Sequence, residues 1–266
     1  FLCTLELRHS TNCMKWVGFG LLWGIAALTN PALLTFLPLS ALWLAYRLRH
    51  EWRKIAPLMA VAALSCFVVV APWLVRNRLV FGEYVFIRGN FGFEFHLGNY
   101  HYSNGLGWLK RHPTQNERFM AEYLRLGERG FVAEHTRQGM EFVRQYPSEF
   151  LQLCLRRFTT FWDGTSLNYV HNDEWRPWMF LPLSLLALWG LMLAIGEKVQ
   201  GSLLTAGLLL LYPLPYYLTF PSVRYRHAIE PEMLILSTYF VYEACIHFSA
   251  KLRRTGKSNA WRVNTE

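Results

Sequence analysis

Residues 55–75 read IAPLMAVAALSCFVVVAPWLV, a run without a charged side chain. A helix needs about 20 predominantly apolar residues to cross the hydrocarbon core of a bilayer. Arg53 and Lys54 stand immediately before this run, and Arg76 stands immediately after it. The run is therefore predicted to be a membrane-spanning helix that ends near Trp73, since tryptophan is favoured at the membrane interface.

The composition of the whole chain also indicates a membrane protein. Hydrophobic residues make up 53% of its 266 residues and charged residues 17%, whereas about 25% of a soluble domain is charged. The net charge of +9 comes from short basic loops and the tail. A nucleic-acid-binding protein would instead show one basic face with interleaved aromatic residues. We therefore expect membrane lipids, and no nucleic acid, among the partners.

Further apolar runs on both sides of residues 55–75 predict about six spanning helices. As one helix, residues 16–46 would be about 46 Å long, too long for a core of about 30 Å. Asn30-Pro31 interrupts this run, and a proline disfavours the helical conformation of the residue before it. We predict a hairpin over 16–46, with a single tilted helix kinked at the proline as the alternative. Residues 177–250 contain three more spans, at 178–195, 202–220 and 229–250.

The basic residues set the predicted topology. Arg47, Arg49, Arg53 and Lys54 crowd one short loop, and an excess of Lys and Arg marks cytoplasmic loops. The basic tail over 251–266 is predicted to be cytoplasmic by the same rule. Residues 76–176 then form an extracytoplasmic insert. The predicted fold class is an all-α polytopic protein of the plasma (inner) membrane, with transmembrane helices over 1–75 and 177–250 and a mixed, mainly helical insert.

The insert has two parts with different patterns. Residues 79–110 are rich in Gly, Asn and aromatic residues, which favours strands and tight turns, and Gly89, Gly92 and Gly98 are interpreted as turn glycines. Residues 116–146 show helical spacing of apolar residues. Ser148 is predicted to N-cap a further amphipathic helix, which either lies at the membrane surface or packs as an ordinary helix.

Residues 224–231, RYRHAIEP, place charged side chains between two apolar runs. Charges at that depth usually face a cavity, a partner or a lipid headgroup. Arginine holds phosphate oxygens through a planar fork of donors, so Arg224, Tyr225, Arg226 and His227 are the candidates for binding a donor phosphate. The alternative is that the arginines reach lipid headgroups or pair with Glu230 and Glu232.

The remaining candidates are polar residues on the predicted outer side. Glu94, His96, Asn99 and Glu230 are candidates for lining a substrate cavity or contacting an acceptor molecule. The outer groups able to act as a base are Glu83, Glu94, His96, Asp163 and Asp173. The five cysteines form no CxxC pair and the histidines are irregularly spaced, so no metal or other cofactor is predicted.

Four passages resemble the GT-C glycosyltransferases of the protein-mannosyltransferase and aminoarabinose-transferase type, a family-39-like group. In order, they are GLLWGIAALTNPALLTFLPL (20–39), APWLVRNRLVFGEYVFIRGNFGFEFHLGN (71–99), YPSEFLQLCLRRFTTFW (146–162) and RYRHAIEP (224–231). The resemblance covers most of this chain but only the C-terminal half or so of such an enzyme.

The resemblance implies an inverting transfer of a sugar from a polyprenyl-phosphate donor to a glycan, lipid or protein acceptor outside the cytoplasm. The catalytic base of that family is an acidic residue in the first extracytoplasmic loop. That loop is expected upstream of Phe1, so no catalytic residue is predicted in this chain. The relatives often carry Arg where this chain has Asn30. The alternatives are a non-enzymatic transporter or lipid carrier, and an O-antigen polymerase or ligase.

Overall fold

The computed structural model describes residues 1–105, 111–164 and 176–263, with side chains described over 1–105, 111–164 and 178–249. Throughout these ranges the regular structure is helical and no residue forms a strand. The helices are α1 (Leu2–Leu7), α2 (Cys13–Thr29), α3 (Leu37–Arg47), α4 (Trp52–Phe81), α5 (Phe91–Gly98), α6 (Glu117–Gln145), α7 (Pro147–Asp163), α8 (Arg176–Gly196), α9 (Ser202–Leu211), α10 (Leu214–Leu218), α11 (Val223–Arg226) and α12 (Glu230–Val263). Short 3-10 turns lie at Pro31–Thr35, Arg49–Glu51 and Pro113–Gln115.

The strands predicted over residues 79–110 are wrong for the part of that segment that the structure describes, because residues 91–98 form α5. Gly92 and Gly98 lie inside this helix and are not turn glycines. A Cβ atom on Gly92 would overlap the side chain of Thr136, and one on Gly98 would overlap the carbonyl of Thr219. These glycines therefore allow close approach of neighbouring segments.

Two helices are long and apolar enough to cross a membrane, those over Arg49–Phe81 and Trp178–Gly196. The first continues beyond the predicted end of the span at Val75, so the first residues of the predicted insert, 76–81, are helical. The apolar helices over Cys13–Thr29 and Ser202–Leu218 are shorter. The described part of the chain therefore shows two clear candidates where the sequence predicts about six.

The chain divides into two compact units. The first comprises Phe1–Phe161 and Gly207–Ser222, and the second comprises Trp162–Ala206 and Val223–Glu266. Each unit has its own helix packing, and the candidate residues are distributed between them.

In the first unit, α2 packs closely on α4. Gly20 makes this possible, because a Cβ atom there would overlap the carbonyl of Ala62. Trp16 near the start of α2 and Leu44 near the end of α3 belong to one apolar cluster, so the chain reverses between them. The reversal lies at Asn30, whose side chain accepts a hydrogen bond from the Ala32 amide at 3.1 Å.

The insert helices of the first unit pack around aromatic residues. Phe93 and Leu97 of α5 meet Phe131 and Val132 of α6 in a buried cluster. The Asn116 side chain caps the start of α6 by accepting hydrogen bonds from two backbone amides. The next helix, α7, begins at Pro147. Pro is favoured in the first turn because its missing N–H would be unpaired there, so the prediction that Ser148 is the N-cap is wrong.

In the second unit, α8 packs against α12. Gly190 lies at the contact, where a Cβ atom would overlap the Leu236 carbonyl. The Ser237 hydroxyl donates to the Met233 carbonyl of its own helix at 2.8 Å. The last helix runs through Val263, so most of the predicted tail over 251–266 continues α12.

Candidate functional site

The charged stretch over residues 224–231 forms a short turn at the start of α12. Its first residues make α11, and Glu230 opens the long helix. Arg226 is 1% exposed, whereas Arg224 and His227 are exposed and Tyr225 is half-buried. The two arginines therefore face in different directions, as residues two apart in a helix do.

Arg226 is held inside the second unit by main-chain carbonyls. Its guanidinium donates to the Trp162 carbonyl at 2.8 Å and to the Phe180 carbonyl at 3.1 Å, and it lies 4.7 Å from the centre of the Phe180 ring. Burial lowers the pKa of Arg226 to about 10, opposed by the charges of Glu230 and Asp163. The group remains a cation at neutral pH, and its contacts fix the turn.

Arg224 and His227 form the exposed side of the turn. The Arg224 guanidinium donates to the Tyr225 hydroxyl at 3.1 Å and lies 5.0 Å from the centre of that ring. Nδ1 of His227 is 2.7 Å from an oxygen of Glu230. Arg224 thus presents a cation beside an aromatic ring at the surface.

Of the cavity and acceptor candidates, Glu94, His96 and Asn99 lie in the first unit, and Asn99 is held there by internal hydrogen bonds. Its side chain is fully buried and donates to the carbonyls of Phe95 and Leu218, each at 2.7 Å. Its amide oxygen accepts from Arg157 at 2.9 Å. Both amide hydrogens are therefore used internally, and this position gives no support to the prediction that Asn99 contacts an acceptor.

Arg157 organises the end of α5 and was not among the residues singled out for function. It is fully buried on α7 and donates to the carbonyls of Gly105 at 2.7 Å, Tyr217 at 3.0 Å and Leu218 at 3.1 Å, and also to that of Gly98. Burial lowers its pKa to about 10. The sequence signal was its place among apolar residues at helical spacing on α7.

His96 is buried against a second histidine, His135 of α6. Their ring centres are 4.8 Å apart, and they are 7% and 2% exposed. Nδ1 of His96 and both ring nitrogens of His135 lack hydrogen-bond partners. Burial is the main cause that lowers both pKa values, that of His96 to about 4. The pair is therefore neutral at neutral pH, and sequence spacing gave no sign of the contact.

The acidic candidates of the first unit are paired with neighbouring side chains. Glu94 is half-buried and accepts a hydrogen bond from Asn90 at 2.8 Å. Glu83 pairs with Arg129, whose hydrogen bond lowers the pKa of that carboxyl. Asp173 lies outside the described residues. Among the residues that the structure does describe, no three His, Cys, Asp or Glu side chains are grouped so as to hold a metal ion.

Asn30, where the resembled family often carries Arg, takes part in a polar contact with two tyrosines. Its amide donates to the Tyr212 hydroxyl at 3.0 Å, and its amide oxygen accepts from the Tyr216 hydroxyl at 3.3 Å. This neutral group supplies no charge for a phosphate. Asn30 instead joins the hairpin turn to the chain around Pro213.

An apolar cavity of about 440 Å³ lies between α2, α3 and α4. Trp23, Leu37, Met59 and Phe67 are among its lining residues. A site of this kind accommodates hydrocarbon and offers no polar group for orientation. It lies among the apolar helices of the first unit and holds none of the candidate polar residues.

Comparison of the chain with protein-family models, with curated proteins and with solved structures finds no match. The resemblance to the GT-C glycosyltransferases therefore stays an expectation from the quoted passages.

Proposed function

We propose that this chain is part of a GT-C type glycosyltransferase, a multi-pass protein of the plasma (inner) membrane. In this proposal it is the C-terminal portion of an enzyme that moves a sugar from a polyprenyl-phosphate donor to an extracytoplasmic acceptor. The observation that carries the proposal is the turn over residues 224–227. It presents Arg224 at the surface while Arg226 is fixed to backbone carbonyls.

The membrane location is supported by large apolar side chains exposed along the candidate spans. On α4, Leu64 is 63% exposed and Phe67 is 57% exposed. On α8, Leu188 and Trp189 are likewise exposed. Contiguous apolar surface of this kind is unfavourable in water and ordinary in lipid. In a bilayer, lipid acyl chains would surround these side chains in place of water.

In the proposed reaction, an acceptor hydroxyl forms a bond to the anomeric carbon of the sugar while the bond between that carbon and the donor phosphate breaks. The hydroxyl proton passes to a base, and negative charge develops on the departing phosphate. Arg224 stabilises that charge, because a fixed cation contributes most where charge appears in the transition state. Tyr225 holds the guanidinium from one side, and His227 lies on the same exposed side of the turn. Arg226 and Glu230 position the turn. The proposal assigns no catalytic base to this chain.

The insert after Phe81 is proposed to handle the acceptor. Its surface combines the half-buried carboxylates Glu94 and Glu149 with exposed His101, and the His101 and Glu149 side chains are 3.2 Å apart. These groups can hydrogen-bond a glycan or the headgroup of a lipid acceptor. The buried residues His96 and Asn99 shape the insert from inside.

The test measures sugar transfer from a polyprenyl-phosphate donor by the full protein and by its Arg224→Ala variant. We expect transfer to fall about 100-fold, since removal of one transition-state donor typically costs that much. Arg224→Lys, which keeps the charge and loses the fork, should lie between this variant and the unaltered protein. Arg118→Ala, at an exposed arginine of α6, is the matched control and should transfer normally.

Two results would count against the proposal. Transfer at the normal rate by Arg224→Ala would remove the phosphate role of the turn. Movement of an intact lipid-linked sugar across the membrane of vesicles that contain the protein, with no transfer to any acceptor, would indicate a lipid carrier instead.

A further inference from the structure

Helix α7 has a buried face and a separate exposed apolar face. At about 100° per residue, Leu153, Arg157, Thr160 and Phe161 fall on one side, and these are the buried residues of the helix. Leu151, Leu155 and Phe158 fall on another side, and they are 59%, 59% and 49% exposed. The three residues, spaced four and three apart, form one continuous exposed stripe.

A polar sector lies next to this stripe. Gln152, Arg156 and Thr159 are all exposed and lie between the apolar stripe and the buried face. An apolar stripe flanked by a cation and uncharged polar groups is the pattern of a helix that lies in the plane of a membrane interface. A helix packed on protein through both faces would not expose leucines to this degree.

The attachment of α7 indicates which surface it meets. Arg157 donates to the carbonyls of Tyr217 and Leu218, which end the apolar segment over Ser202–Leu218. Phe158 of the stripe lies against Tyr217, with ring centres 5.4 Å apart. In the same segment, Leu210 and Leu214 are exposed. The stripe therefore continues from the end of an apolar segment that the sequence predicts to reach the outer side of the membrane.

We infer that α7 docks on the outer leaflet of the phospholipid bilayer. Leu151, Leu155 and Phe158 insert among the upper acyl chains, and Arg156 contacts the phosphate layer. Arg157 on the buried face ties the helix to the end of the apolar segment, so that the helix cannot leave the interface. This inference rests on the membrane location in the proposed function, and it identifies a lipid surface as the partner of the exposed face.

The test places a nitroxide spin label at single cysteines of the chain in lipid nanodiscs, after replacement of the native cysteines by serine. Oxygen concentrates in the bilayer and a nickel chelate in water, so the ratio of their relaxation effects reports depth. At Leu155→Cys we expect oxygen to be severalfold more effective than the chelate. At Gln152→Cys, one turn earlier in the polar sector, the preference should be weaker or reversed.

Two outcomes at residue 155 overturn the inference. Free access of the chelate shows that the stripe faces water, and protection from both reagents shows that protein covers it. Phe67→Cys on α4 separates this failure from failure of the membrane proposal. A label there should prefer oxygen if α4 spans the bilayer, whatever the result at residue 155. A far-ultraviolet circular dichroism spectrum confirms that each labelled variant keeps its helices.

Discussion

At the scale of single residues, buried arginines explain more of this structure than exposed ones. Arg157 and Arg226 each end among main-chain carbonyls, where a guanidinium with five donors satisfies several orphaned acceptors at once. Neither forms a buried bidentate pair with a carboxylate in the described part of the chain. Their role is to hold turns and helix ends in place, and of the two arginines in the turn over residues 224–227 only Arg224 is exposed.

Replacement of Arg157 tests this structural role. Arg157→Ala removes donors from four carbonyls and from Asn99, and each buried acceptor left unpaired costs about 1–3 kcal/mol. We expect the free energy of unfolding to fall by roughly 3 kcal/mol or more. Arg156→Ala on the exposed side of the same helix should change it by no more than about 0.5 kcal/mol. Thermal unfolding of the purified chain in detergent compares the two, and equal effects would contradict the role.

At the scale of elements, the contact between α5 and α6 depends on two neutral histidines. His96 and His135 lie ring to ring among Phe93, Phe119 and Phe131. Arg111 lowers both histidine pKa values further, whereas Glu134 raises both and Glu122 raises that of His135. Protonation would bury adjacent cations, so this contact should weaken in acid.

The sign of the pH effect follows from the pKa of His96. It falls from 6.5 to about 4 on folding, so the unfolded chain binds more protons between these values. The stabilisation is complete above about pH 6.5 and is lost as pH falls toward 4. The loss attributable to His96 is up to about 3 kcal/mol.

The measurement for this prediction is the thermal unfolding midpoint of the chain at several pH values between neutral and acid. His96→Gln should flatten the decline in acid, because the group that titrates has been removed. His50→Gln, at an exposed histidine in the 3-10 turn before α4, should leave the decline unchanged. An equally steep decline in the His96 variant would contradict the assignment.

Which elements could be predicted follows from how local their signals are. The apolar run over 55–75 and the helical spacing over 116–146 predict helices that the structure contains. Both signals depend only on the order of apolar residues within the segment itself. The strands over 79–110 were wrong because alternating aromatics with glycine also suit a short helix packed on another. The roles of Gly98, His135 and Arg157 depend on partners distant in sequence, so no local pattern could reveal them. The phosphate role of Arg224 stays a prediction.

At the scale of the whole molecule, the proposed topology predicts opposite accessibility for two exposed arginines. Arg53 lies in the first turn of α4, in the basic segment predicted to be cytoplasmic, whereas Arg118 of the insert is predicted to be outside. Single cysteines at these positions, in a background without native cysteines, can be treated with a membrane-impermeant maleimide in intact cells. Arg118→Cys should react at once and Arg53→Cys only after permeabilisation. The reverse labelling pattern would show that the topology is opposite to the predicted one.

Above all, we propose that the protein recognises the phosphate of a polyprenyl lipid. The most direct test compares binding of a polyprenyl phosphate and of the matching polyprenol to the purified chain in nanodiscs. We predict that the phosphate binds at least about tenfold more tightly, a difference of about 1.4 kcal/mol, and that Arg224→Ala abolishes this preference while Arg118→Ala retains it. Equal affinity for the phosphate and the alcohol in the unaltered chain would contradict the claim.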